Sequence, residues 1–124
     1  MREIFFRGQD IHGNWYIGLL AHIGNAWYIS NKAGVATAFE VIPSTIGQYT
    51  GLTDKNGTKI FEGDILKGMG GLHRVYFDTS LACFEWAKIN GNWKESFSGF
   101  ADEYEVIGNI HDNPELLERN DSNE

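Results

Sequence analysis

The sequence predicts a mainly β fold: an N-terminal antiparallel meander, a second strand-rich portion and a short C-terminal helix. Three observations predict it. Aromatics make up 14% of the 124 residues, with Trp, Tyr and Phe occurring 4, 5 and 8 times. The chain holds 15 Gly and only 2 Pro. Gly-Asn or Asn-Gly pairs punctuate the apolar runs at Gly24-Asn25, Asn56-Gly57 and Asn90-Gly91. Aromatic and β-branched side chains suit a pleated, half-buried surface, and Gly and Asn accept the positive φ of tight turns. With 42% hydrophobic residues the chain has ample core material and reads as one domain over 1–124.

The elements follow in order. Residues 3–7 begin as an extended segment, and Gln9 to Asn14 form a turn. Trp15 to Leu20 and Ala26 to Ser30 read as strands joined across Gly24-Asn25. Asn31 to Gly34 make another turn. Thr37 to Ile42 return as a strand with Phe39 and Val41 on one face, ended by Pro43. Residues 1–45 therefore form the N-terminal β segment. Gly13-Asn14-Trp15, Gly24-Asn25-Ala26-Trp27 and Gly91-Asn92-Trp93 are recurring turn-then-aromatic solutions at unequal spacing, not a repeat.

Ile46 to Lys67 is the most ordered-looking stretch of the sequence. Asp54-Lys55-Asn56-Gly57 is a turn tetrad in which Asp54 can accept from amides two residues on. Ile60-Phe61, Glu62-Gly63-Asp64 and Ile65-Leu66 follow, with Gly63 suited to positive φ and Asp64 to capping the turn. Two apolar pairs around Gly-Asp resemble the diverging turn of SH3-like barrels. His73 to Asp78 alternates with Val75 and Phe77 on one face, and Leu81 to Ile89 is strand-like before the hairpin at Asn90-Gly91. Tyr104 to Ile110 is the last strand, with a bulge at Gly108. Asp112 to Glu118 reads as a short helix, with Asn113 as N-cap and Pro114 in the first helical position. Residues 119–124 are expected to fray.

Charge and cysteine use narrow the function classes. The net charge of −7 is concentrated at the end: from Glu95 to Glu124 there are nine acids and one base, Arg119. Tight backbone-driven nucleic-acid binding requires clustered Lys and Arg, which this distribution does not supply. One cysteine, Cys83, excludes an intramolecular disulfide and lies in an apolar run, so a reducing, cytoplasmic setting is expected. No run of 18 apolar residues occurs, and neither secretion nor membrane spanning is expected.

Chemistry is hard to find. His12, His22, His73 and His111 are scattered, without the i, i+2 or i, i+4 spacing that places two ligands on one side of an element. The glycine-rich segment around Met69 lacks the phosphate-loop patterns. Glu62 and Asp64 flank a turn glycine, where capping is the simpler role and acid–base hydrolysis the alternative. No cofactor and no metal is expected. Trp15, Trp27, Tyr28, Trp86 and Trp93 exceed what a small barrel hides, and Trp15, Trp27, Tyr28 and Trp93 are the candidate interaction surface.

Several pieces together resemble the YopX family of small phage and prophage proteins. They are Arg2 to Arg7, then Thr45-Ile46-Gly47-Gln48-Tyr49-Thr50-Gly51-Leu52, Asp54-Lys55-Asn56-Gly57, Ile60-Phe61-Glu62-Gly63-Asp64-Ile65, and Glu105 to Leu117 through Gly108, Asn109 and Pro114. The family usually shows Tyr at Phe61 and often an aromatic at His111. The resemblance implies a mainly β fold with an SH3-like barrel over 46–118, preceded by a β segment that pairs with other subunits, and a phage or prophage origin. It implies structural roles for Gln48, Tyr49, Thr50, Gly51, Asp54, Asn56, Gly57, Glu62, Gly63, Asp64, Gly108, Asn109 and Pro114, and no catalytic residues. The expected function is that of a non-enzymatic accessory protein in the bacterial cytoplasm that self-associates or binds a host or phage protein. The alternative is a nucleic-acid-associated module using exposed aromatics and scattered lysines.

Overall fold

The computed structural model describes residues 4–30, 38–68, 71–80, 83–89, 94–96 and 103–118. The chain is mainly β, with two antiparallel sheets, and divides into two compact units, Met1–Gly51 and Leu52–Glu124.

The first unit contains β1 (Phe6–Gln9), β2 (Trp15–Ile23), β3 (Ala26–Ser30), β4 (Phe39–Val41), a 3-10 turn at Pro43–Thr45 and the start of β5 (Gly47–Thr53). Their order across the sheet is β4-β3-β2-β1-β5. The turn at Gly13 (φ 88°) and the hairpin at Gly24 (φ 63°) are where the sequence places them. Ile23 pairs with Ala26 across the latter, which makes it a two-residue loop. β5 is a strand the sequence reading did not assign. Gly47 and Gly51 weaken its intrinsic preference, and pairing of Phe6 with Gln48 and of Arg7 with Gly47 makes it a strand nonetheless.

This sheet is strongly curled. Tyr16 on β2 stacks on Phe39 of β4 at 4.2 Å between ring centroids, although β3 lies between the two strands. The Ile42 amide donates to the Gln9 carbonyl at 2.8 Å, and the Gln9 amide donates to Thr45 Oγ1 at 2.9 Å. The β4 end of the sheet therefore closes over β1. Gly8, Gly18, Ile29 and Val41 are buried on the concave side.

The second unit opens with the last residues of β5 and continues through β6 (Lys59–Phe61), β7 (Asp64–Gly68), β8 (Gly71–Asp78), β9 (Cys83–Lys88), β10 (Lys94–Ser96) and β11 (Glu105–Asn109). β7 to β11 form a sheet in the order β10-β9-β8-β7-β11. Its core has two parts. Ile60, Leu66, Val75 and Trp86 pack with Leu52, Tyr104 and Val106. Ile65, Leu72 and Ile89 pack with Ile107, Ile110, Leu116 and Leu117. Neighbouring residues Ile65 and Leu66 enter different clusters, so β7 is covered on both faces. A strand buried on both sides reads as a continuous apolar run instead of an alternating one.

Expectation and structure differ at several points. Among the described residues no closed barrel is formed. The C-terminal helix is a 3-10 helix, Pro114–Glu118, not an α-helix. The Asn113 side chain is turned back: its Oδ1 accepts from the Asn109 amide at 3.2 Å. Trp86 is 3% exposed, so it is core and not surplus. The register of β11 against β7 shifts between Val106 and Gly108, which is the bulge the sequence indicates. The turn at Asn31 to Gly34, the hairpin at Asn90-Gly91, Trp93 and the tail 119–124 lie outside the described residues.

Candidate protein-binding surface

The family-motif residues form turns and corners. Asp54 is 4% exposed, and its carboxylate accepts three backbone amides. Oδ1 takes Asn56 (2.8 Å) and Thr58 (2.9 Å); Oδ2 takes Val106 (2.9 Å) on β11. Burial pushes this carboxyl up, but the amides of Val106, Thr58 and Asn56 and the charge of Lys55 outweigh it and hold it below its ordinary value. The Lys55 amide donates to the Tyr104 carbonyl at 2.9 Å, so the tetrad ties β11 in place.

Glu62-Gly63-Asp64 works the same way. Gly63 holds φ 95°; its amide donates to Val75 and its carbonyl accepts from Ile110. Asp64 is 1% exposed and accepts the Phe61 amide at 2.8 Å, so it closes its own turn. Glu62 is half-buried. Asn109 Oδ1 accepts from His111 and Asp112, both at 2.9 Å. A Cβ on Gly108 would lie 2.4 Å from Asn113 Oδ1, so glycine allows that corner to close. In the first unit Tyr49 is buried and stacks on Phe5 at 6.1 Å, and Gly51 holds φ 90°. Gln48 and Thr50 are half-buried on β5, Asn56 and Gly57 are exposed at the turn, and Pro114 is exposed at the start of the 3-10 helix. Among the described residues, no three His, Cys, Asp or Glu side chains gather as a metal site, and no helix is long and apolar enough to cross a membrane.

The aromatics proposed for an interaction surface are not its most exposed part. Trp15 is half-buried under the Arg7 guanidinium, 4.8 Å from the ring centroid. Trp27 is half-buried and stacks on His22 at 3.9 Å, and Tyr28 is also half-buried. Among the described residues the exposed large apolar side chains are Ile4, Ile11, Phe77 and three on one strand, Ile17 (47%), Leu19 (44%) and Ile23 (67%), with exposed Ala21 between Leu19 and Ile23. These three and Ala21 project from the outer side of β2, at the alternate positions 17, 19, 21 and 23. The signal was present in Trp15–Ile23, which is largely apolar on both parities; such a strand must have both faces covered or offer one to a partner.

On the β4 side of the sheet, two strands across from this ridge, a cleft of about 370 Å³ is lined by Asp10, Ile11, Glu40, Val41, Ile42 and Pro43. Tyr28 pairs with Ala21 on one side and Glu40 on the other, so ridge and cleft share a cross-strand row. Ile11, at 82% exposure, stands at the tip of the loop between β1 and β2. Asp10 organises that loop by accepting from the His12 and Asn14 amides, Asn14 Nδ2 and the Tyr16 hydroxyl. Desolvation pushes its carboxyl up, but those hydrogen bonds, led by Asn14, hold it at about 2. Glu40 is exposed. Nothing in the sequence reading singled out Glu40 or this cleft.

The family model described as "YopX protein" matches residues 15–118. The chain belongs to the YopX family. That span begins at the first residue of β2 and ends with the C-terminal 3-10 helix, so it takes in the ridge and every motif corner described above. The crystal structure of protein EF1440 from Enterococcus faecalis is similar to this one, at 28% identity and a TM-score of 0.57. The similarity covers 94% of this chain and 99% of that one. No curated protein matches the sequence.

Proposed function

We propose that this YopX protein is a non-enzymatic accessory protein of a phage or prophage that works in the bacterial cytoplasm by binding protein, either a second copy or a host or phage polypeptide. The observation that carries this reading is the aliphatic ridge of β2, with Ile17, Leu19 and Ile23 at 47%, 44% and 67% exposure. Contiguous apolar surface on a small protein marks an interaction site. Charge distribution supports the same unit. Met1–Gly51 contains three acids (Glu3, Asp10, Glu40) and three bases (Arg2, Arg7, Lys32), whereas Leu52–Glu124 contains fourteen acids and seven bases and carries the whole net charge of −7. Association through the neutral unit meets no net like-charge repulsion. The motif residues support a scaffold role, since Asp54, Asp64 and Asn109 are occupied with backbone amides. The SH3-like character the family implies belongs, on this reading, to the second unit.

The test measures molar mass by light scattering over a wide concentration range and captures partners from nuclease-treated bacterial lysate. It compares the native chain with Ile17→Asp and Ile23→Asp. Association or capture that both substitutions abolish, while Lys59→Ser leaves it intact, is the expected result. A native chain that stays monomeric and captures nothing overturns the reading; capture that disappears on nuclease treatment replaces it with the nucleic-acid reading.

A further inference from the structure

We propose that the cleft beside Glu40 receives an arginine or lysine side chain from the partner polypeptide; the inference rests on the protein-binding reading and names the partner's chemistry. The cleft offers two kinds of surface. Val41, Ile42, Pro43 and the loop-tip residue Ile11 give it apolar walls, and Asp10 and Glu40 are its two charged residues, both acidic. A basic side chain fits both, because its methylene stem packs on apolar surface while its head remains beside a carboxylate. At about 370 Å³ the cleft lies near the lower end of the range for ligand sites, suited to one long side chain with part of its backbone.

The two acids have different parts. Asp10 spends its oxygens on four donors in its own loop, so it contributes negative charge and holds Ile11 in position. Glu40 is exposed and is the carboxylate that meets the incoming head group. Charge complementarity excludes an acidic segment and leaves a neutral one without a polar anchor. The row Ala21-Tyr28-Glu40 connects the cleft to the aliphatic ridge, so a partner that presents apolar residues beside one basic residue engages both.

The test titrates 15N-labelled full-length protein with three short capped peptides, identical except for a central arginine, lysine or citrulline, and with putrescine as a free diamine. The arginine and lysine peptides are expected to move the amides of Glu40, Val41, Ile42 and the Asp10–Asn14 loop saturably. Citrulline in the peptide, or Glu40→Gln in the protein, is expected to weaken this by about two- to fivefold, as loss of an exposed ion pair does. Equal binding of the citrulline peptide, or unchanged binding by Glu40→Gln, overturns the proposal. Putrescine that saturates the cleft more tightly than either basic peptide overturns it in favour of a free amine. Failure here, with lysate capture still dependent on Ile17 and Ile23, removes the cleft and leaves the protein-binding reading; failure of both removes both.

Discussion

Val41 rests directly on the backbone of Gly8. A Cβ built on Gly8 would lie 2.8 Å from Val41 Cγ2, 2.9 Å from its Cβ and 3.0 Å from its Cγ1. Real Cβ atoms do not approach so closely, so the contact depends on glycine at position 8. It is the point where β4 closes over β1, beside the bond from the Ile42 amide to the Gln9 carbonyl. Gly8→Ala should therefore destabilise the first unit by about 1–3 kcal/mol through overpacking. Adding Val41→Ala should return part of that loss, so the double substitution is less destabilising than the sum of the single ones. Chemical denaturation of the four variants checks this; strict additivity would refute the contact.

The exposed and buried faces of the curled sheet respond differently. Ile29 is 0% exposed, and Ile29→Ala should cost about 2–5 kcal/mol, as core truncations do. Ile23 is 67% exposed, and Ile23→Ser should change stability by no more than about 0.5 kcal/mol. Thermal denaturation separates the two. A large loss at Ile23 would mean the ridge is already covered within the chain.

Asp54 predicts a pH dependence. Its folded carboxyl is held below the ordinary 3.8 by the Val106, Thr58 and Asn56 amides and the Lys55 charge, against the upward push of burial. The lowered direction means the stabilisation is fully present above the unfolded value and is lost as pH falls through the folded one. Asp10, held at about 2, adds to the loss between 3.8 and that value. Stability should fall as pH drops below about 4, and Asp54→Asn should flatten part of that fall. At neutral pH Asp54→Asn should cost about 1–3 kcal/mol, because an amide NH2 cannot accept from a backbone N–H. Denaturation midpoints at pH 7, 4 and 3 measure both effects.

Two glycines of positive φ separate backbone strain from crowding. Gly57 has φ 83° with nothing within 4 Å of a built Cβ, so Gly57→Ala meets only the left-handed penalty, about 1–2 kcal/mol. Gly57→Asn should be milder, since Asn tolerates that region. Gly63 has φ 95°, is buried, and bonds Val75 and Ile110 through its backbone. Gly63→Val should cost more than Gly57→Val, because a branched side chain must also displace packed neighbours. Equal losses at the two positions would contradict this account of the Glu62-Gly63-Asp64 corner.

The sequence by itself determined the local structure. Gly24-Asn25, Asp54 to Gly57, Glu62-Gly63-Asp64 and the bulge at Gly108 were legible because each depends on a few neighbouring residues with restricted φ or a side chain that reaches its own backbone. The mainly β class was legible from aromatic content and the spacing of turn residues, and the family from the resemblance of its motif pieces. Tertiary structure alone decided what depends on distant partners. β5 is a strand because β1 pairs with Gly47 and Gln48, against the preference of its glycines. Trp86 is buried and Ile23 exposed, although both are large and apolar, because an apolar strand does not state which of its faces a neighbouring layer will cover. Glu40 meets Ile11 in one cleft only because the sheet curls until β4 reaches β1, and the Gly8–Val41 contact that permits this joins residues far apart in the chain.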